Sequence, residues 1–297
     1  MEGALERVLA RTIDHSHARR RIAAAAALAC ALVVAAPAAA SVTIGQLPPS
    51  APPATCTPNV DYLQPSVTGG NLYIARQAGT ITSWSTNSTG SGGIYRVKIF
   101  RRTSDPDDFQ AVQHAPSHVL SNGLNTVTVN LPVESGDMLG FNESGPTNSC
   151  TFSQFGDSVL FRSGSLGDGF SGAFGPQNDV RLNISAVLVP DNGFTLGGIT
   201  KDRRHGTATL TATTTNPGIV TMSGKGLKKR AAKSLAVAGA VTFQLATVGK
   251  TLRKLARKKT ARVTANVTFS PSGGDPSTQA LRLTLRMTRP PTPVSSP

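Results

Sequence analysis

The sequence predicts an all-β chain of two β-sandwich domains behind an N-terminal export signal, and three observations carry the prediction. Short runs in which apolar and polar residues alternate recur along the chain, as half-buried strands require. Clusters of Gly, Asn, Ser and Pro separate these runs, and no helical period interrupts them in the first half. Charge divides along the chain: residues 41–200 hold 7 Lys and Arg against 11 Asp and Glu, while residues 201–297 hold 18 against 2. A single packed unit rarely splits its charge so sharply, so two modules are expected.

Residues 1–40 read as the signal. Arg19, Arg20 and Arg21 lead into the uncharged run Ile22–Ala36, and Ala38, Ala39 and Ala40 supply a small-residue cleavage box that makes Ser41 the first mature residue. The run is shorter than the roughly 20 apolar residues of a membrane span, so no transmembrane segment is expected in the mature chain. An uncleaved anchor is the alternative, and the arginine pair also permits twin-arginine export. Cys30 lies inside the apolar run and leaves with it. Residues 41–55 read as a Pro-rich linker.

Cys56 and Cys150 then remain as an even pair in a chain bound for an oxidising compartment, which predicts one disulfide. Neither has a CxxC partner or a nearby histidine, so a metal or redox pair is disfavoured.

The first module spans 56–190. Tyr95, Val97 and Ile99 alternate with Arg96 and Lys98; Val127, Val129 and Leu131 alternate with polar neighbours; Leu182, Ile184, Ala186 and Leu188 form one further run. Turns fall at 90–93, 121–123, 145–148 and the glycine-rich 164–175. The stretch Leu131–Phe141, a strand end, a Gly136-Asp137 turn and a new apolar strand, is similar to jelly-roll-like secreted modules in architecture alone.

Candidate sites in this module are few. Asp105, Asp107 and Asp108 form an acidic loop that offers a weak calcium candidate, although one short cluster lacks the six or more oxygens the ion takes. His114 and His118 have zinc-type i, i+4 spacing, but Pro116 between them opposes the helix that spacing needs. Trp84, Tyr62, Tyr73 and Tyr95 could together build a flat stacking platform for a glycan; the competing reading makes them core. The motifs GxSxG, GxxxxGK[ST] and HExxH are absent. An enzyme and a cofactor are therefore not expected, and a hydrolase with a dispersed site stands as the second alternative.

The second module spans 194–289. Ala208, Leu210 and Ala212, then Val241, Phe243 and Leu245, then Val263, Ala265, Val267 and Phe269 mark strands. In the last strand Leu281, Leu283, Leu285 and Met287 alternate with Arg282, Thr284, Arg286 and Thr288, giving one core face and one cationic or hydroxyl face. The succession Gly206-Thr-Ala-Thr-Leu210, Pro217-Gly-Ile-Val220 and Ser223-Gly-Lys-Gly-Leu227, then a Lys-rich segment before a Thr/Val strand, resembles the bacterial Ig-like modules at the C-terminus of secreted actinobacterial proteins. The resemblance covers about a third of the chain and implies an immunoglobulin-like sandwich at the cell envelope without catalytic chemistry.

The segment 225–262 holds Lys225, Lys228, Lys229, Arg230, Lys233, Lys250, Arg253, Lys254, Arg257, Lys258, Lys259 and Arg262 and no acid. A core strand at 241–245 runs through its middle, so its cations flank a folded element. Leu252 and Leu255 predict one helical turn that tucks both leucines onto the sandwich. A solvated surface is the plainer reading; the functional one is contact with an anionic wall or surface polymer. Nucleic acid is disfavoured because Phe243, the segment's one aromatic, belongs to the core. The expected protein is secreted or envelope-associated and non-enzymatic, with a glycan as the alternative partner and a disordered tail at 290–297.

Overall fold

The computed structural model describes residues 40–48, 54–55, 57–144 and 149–288. The export segment apart from Ala40, most of the Pro-rich stretch, Cys56, the turn at 145–148 and the tail at 290–297 lie outside the described residues. Among the described residues no helix is long and apolar enough to cross a membrane. The chain is all-β, built of antiparallel sheets in two sandwiches.

The first sandwich comprises β1 (Val42–Gln46), β2 (Val60–Ser66), β3 (Gly79–Ser88), β4 (Ile94–Arg102), β5 (Asp108–His114), β6 (His118–Val119), β7 (Gly123–Val133), β8 (Met138–Ser144), β9 (Thr151–Ser163), β10 (Ser171–Ala173), β11 (Gly175–Leu182) and β12 (Ile184–Pro190). One sheet has the order β1-β12-β3-β7 and the other β10-β5-β4-β8-β2-β9-β11, with β6 beside β4. Their inward faces meet in a core that includes Ile81, Trp84, Tyr95, Phe141, Ile184 and Leu188. The expected turn at Gly136-Asp137 joins β7 to β8; the Asp137 carboxylate accepts the Glu134 N–H at 2.8 Å and pairs with Arg101 at 2.7 Å.

Three expectations are corrected. Residues 42–46, read as linker, form β1 and pair with β12 from Val42↔Leu188 to Gln46↔Ile184, because Val42 and Ile44 bring an inward face of their own ahead of the prolines. The run 182–188, read as one strand, is two: β11 belongs to one sheet and β12 to the other. The chain changes sheet at the buried Asn183, whose Nδ2 donates to Asn87 O at 2.6 Å and Ser149 O at 2.8 Å. Alternation survives because the inward side stays inward across the corner. Lys98, read as solvent-facing, is 1% exposed, since the glycine-rich loop after β9 lays Leu166 and Phe174 over the outer face of its sheet and makes a second small core with Leu63, Phe100, Phe109 and Met138.

The second sandwich comprises β13 (Phe194–Asp202), β14 (Thr207–Thr214), β15 (Gly218–Ser223), β16 (Ala231–Leu235), β17 (Gly239–Leu245), α1 (Gly249–Lys258), β18 (Thr260–Pro271) and β19 (Ser277–Arg286). Its sheets have the orders β13-β14-β17 and β16-β15-β18-β19 around a core of Leu210, Val220, Phe243, Val267, Phe269 and Leu285. The predicted helical turn is a helix of 10 residues. It buries Leu255 fully but leaves Leu252 43% exposed, so one leucine anchors it instead of two.

The described residues belong to one compact unit, and the sandwiches are pinned together. Asn216, fully buried, accepts the Ala78 N–H at 2.7 Å and donates to Ala78 O and Asp191 O at 2.8 Å each. Gln77 Nε2 donates to Ser272 O at 2.7 Å, and Ala40 N donates to Asp275 Oδ1 at 3.1 Å. A cleft of about 1040 Å³ beside this junction is lined from both modules, by Ile44, Gln77 and Leu188 on one side and Pro217, Leu235 and Ser272 on the other.

Candidate functional site

Strand order sorts the connections of the second sandwich into two ends. One end carries residues 215–217, 236–238 and 272–276 and faces the first module through Asn216, Ser272 and Asp275. The other carries 203–206, 224–230 and 246–259. The loops near the first module hold no cation and one acid, Asp275; the far loops hold 12 cations and no acid. The basic residues thus form a pole that points away from the first sandwich.

Backbone contacts assemble the pole. Lys228 N donates to Ala246 O at 2.8 Å and Val248 N to Gly226 O at 2.9 Å, so the turn at 224–230 is zipped to the start of α1. Gly226 has φ 80°, and a Cβ there would fall 2.1 Å from Thr251 Oγ1, so only glycine permits this approach. On the other side Gly206, at φ 67°, would set a Cβ 2.7 Å from Leu255 Cδ2, which seats the 203–206 turn on the helix. The two basic clusters that sequence separates are therefore one surface.

All of the cations named from sequence are exposed, and among the described residues none lies within ion-pair distance of a carboxylate. Lys225, Lys228, Lys229 and Arg230 sit in the 224–230 turn; Lys250, Arg253, Lys254, Arg257 and Lys258 are on α1; Lys259 caps the helix at φ 58°. Lys233 lies on β16 and Arg262 on β18, away from the turns themselves. Of the two acids of this module, one borders the pole and is taken up by its 203–206 turn, and the other lies at the opposite end. Asp202 accepts bonds from Arg204 N, His205 N and His205 Nδ1 at 2.6–3.1 Å, while Asp275 accepts the Ala40 N–H. Hydrogen bonds to His205 chiefly hold Asp202 below the ordinary carboxylate range.

The helix carries this charge against its own stability. Lys250, Lys254 and Lys258 stack at i, i+4, as do Arg253 and Arg257, and each like pair costs a few tenths of a kcal/mol. No acid stands in the first turn to complement the positive helix start, although Arg257 and Lys258 suit the last turn. Burial of Leu255 opposes these penalties, and a charge pattern kept at such cost fits a surface that meets an anion.

Sequence reasoning missed Lys201, Arg203 and Arg204 of this surface and read Arg282 and Arg286 as a cationic strand face without joining them to the basic segment; all five are exposed. The alternation of Arg282, Thr284 and Arg286 was the available signal. A groove of about 520 Å³ brings Lys201 and Arg282 together with Arg262.

In the first module the glycan platform is overturned. Trp84 and Tyr95 are 0% exposed, Tyr73 1% and Tyr62 5%; Trp84 stacks on Tyr95 at 5.4 Å and Tyr95 on Phe141 at 4.3 Å, inside the core. Tyr62, Trp84 and Tyr95 lie on the inward sides of their strands and Tyr73, between β2 and β3, turns its hydroxyl to Gln46 O at 3.2 Å, so the rings have no open face. The exposed aromatics are Phe155, Phe161 and Phe170. The calcium candidate also fails. Asp105 accepts its own turn's Asp107 N–H at 3.1 Å, Asp108 turns into β5, and among the described residues no three acid, His or Cys side chains are placed to hold a metal. His114 ends β5 and pairs with Asp168 at 2.7 Å, whereas His118 lies edge-on to Trp84, so the two rings do not share one ligand set.

Of the buried acidic and basic side chains, Arg181 pairs with Asp157 and Asp137 with Arg101, which leaves Lys98 with its partner Asp61, and Glu143. Lys98 Nζ lies 2.7 Å from Asp61 Oδ2, 2.6 Å from Leu166 O and 3.3 Å from Ser165 Oγ, which uses its donors to bind the glycine-rich loop to the sheet. Burial lowers the Lys98 pKa, opposed by the bond to Asp61. Glu143 on β8 is fully buried beside the Tyr95 ring, with neither carboxylate oxygen hydrogen-bonded, and burial pushes its pKa up to about 8. Compared with known families and with curated proteins, the chain matches none.

Proposed function

We propose that this is an exported, non-enzymatic protein of the cell envelope, whose second module rests on an anionic wall or surface polymer and holds the first module outward. The observation that carries this reading is the segregation of charge between the two ends of the second sandwich, 12 cations on the far loops and none on the near ones. The bare near end follows from its junction with the first module, but a merely solubilising far end would intersperse both signs of charge, whereas these loops hold 12 cations and no acid. Polyanion contact accounts for that single sign, because cations on one surface release condensed counterions together when they meet a charged chain.

Several parts of the sequence reading belong to this proposal. The 3-stranded and 4-stranded antiparallel sheets of the second module support an Ig-like assignment. Export through residues 1–40 supports an envelope address. A Cys56–Cys150 bridge is supported by the burial of Cys150 and by its N–H donating to Ala54 O at 3.4 Å, two residues before Cys56.

The test is retention on purified envelope fragments. The variant Lys250→Gln, Arg253→Gln, Lys254→Gln, Arg257→Gln removes four exposed charges and the like-charge pairs of the helix while leaving Leu255 in place, so it should fold with a melting temperature at or slightly above that of the wild type and lose most of its retention. Equal retention of a folded variant would sink the proposal.

A further inference from the structure

Beside the pole, one face of the β18–β19 pair carries an ordered cation array. Register places Thr260 opposite Arg286, Arg262 opposite Thr284 and Thr264 opposite Arg282. Directly opposed residues share a face, so Arg286, Arg262 and Arg282 alternate diagonally with threonines at the roughly 7–8 Å spacing of diagonal neighbours. A fourth cation, Lys201, comes from β13, where an irregularity between Leu196 and Ile199, at Gly197-Gly198, inserts an extra residue and bends the strand. Ile199, Lys201, Arg262, Thr264, Arg282 and Thr284 line the groove of about 520 Å³. The nearest acid in sequence, Asp202, is occupied by its own turn.

We propose that this groove seats a linear phosphodiester polymer, with Arg262 and Arg282 each forking onto a phosphate and the Thr264 and Thr284 hydroxyls donating to the remaining oxygens. The inference rests on the polyanion reading and narrows its ligand. Guanidinium groups bind oxyanions bidentately, and the interleaved hydroxyls suit a group with further acceptor oxygens. A carboxylate offers two oxygens where a phosphodiester offers two charged and two ester oxygens, so beside an arginine fork it leaves fewer acceptor sites for the threonine hydroxyls. A lone ion would use one arginine, whereas the zigzag runs along the strands to Arg286 at the pole and so fits a chain of repeated charges.

Binding of the full chain to a synthetic ten-unit glycerol-phosphate oligomer, to a polyuronate of equal charge and to inorganic phosphate tests this at 0.15 M salt. The wild type should prefer the phosphodiester over the uronate by tenfold or more and bind inorganic phosphate hardly at all. The variant Lys201→Gln, Arg262→Gln, Arg282→Gln should lose more than tenfold for the phosphodiester, and its log affinity against log salt should flatten by about 2, as three lost phosphate contacts imply for a single-stranded polyanion. The charge-matched pole variant Lys228→Gln, Lys229→Gln, Arg230→Gln should lose affinity for the phosphodiester and the uronate alike, less for the phosphodiester than the groove variant does, and keep the preference between them. The charge-keeping variant Arg262→Lys, Arg282→Lys should lose the preference for phosphodiester over uronate. Equal losses in the two charge-matched variants, or a wild type that binds both polymers alike, would refute the groove while leaving the polyanion reading standing. No binding to either polymer would overturn both.

Discussion

Glu143→Gln should stabilise the protein at neutral and alkaline pH. Glu143 sits in the first core with both carboxylate oxygens unpartnered, and burial raises its pKa to about 8 from 4.5. Between those values the folded chain holds one more proton than the unfolded chain, so rising pH favours unfolding. The stabilising effect of the protonated acid is complete below pH 4.5 and gone above about pH 8. A shift of that size corresponds to a loss of at most about 5 kcal/mol across the window. Glutamine keeps the shape without the charge, so the variant should be nearly flat there. It should match the wild type near pH 4.5 and exceed it by several kcal/mol at pH 8. Urea unfolding of both proteins at pH 4.5, 6 and 8 reads this directly. Parallel pH profiles would refute it, and so would a variant less stable at pH 8, since either would mean that the carboxylate is satisfied or solvated.

The remaining predictions concern what holds the frame. Lys98→Met, which leaves Asp61 buried without its ammonium, should cost about 3–5 kcal/mol, and adding Asp61→Leu should recover much of it in denaturant unfolding. Asn216→Ala removes three hydrogen bonds between the modules and should speed proteolytic cleavage at 191–193 without changing the secondary structure seen by circular dichroism. Cys56→Ser should lower stability by about 4 kcal/mol under non-reducing conditions and expose a free Cys150 thiol to alkylation only on unfolding.

The strand faces were legible because alternation survives every corner: Leu210 and Phe243, and Val97 and Ile99, lie inside as their periods require. Glu143 was not read from the sequence: its place continues the inward side of Leu139 and Phe141, but its charge argues for the surface. Lys98 was not, because a period of two cannot reveal a distant loop covering the outer face of a sheet. The aromatics showed the limit of composition: the same four rings serve as platform or core according to which side of the strand they take. The basic pole was half legible. Its residues are read at sight, but their meeting at one end depends on strand order and on Gly206 and Gly226, which hold two turns against α1. Lys201 and Arg282 are far apart in sequence and become neighbours only where β13 bends beside β18 and β19.

The salt dependence of envelope binding tests the central claim most directly. If the pole engages six or more charges of an anionic polymer, log affinity against log salt should fall with a slope of about −4 or steeper. At 1 M salt, where the Debye length is about 3 Å, the protein should wash from envelope fragments completely. Retention through that wash, or a slope near zero, would contradict the account.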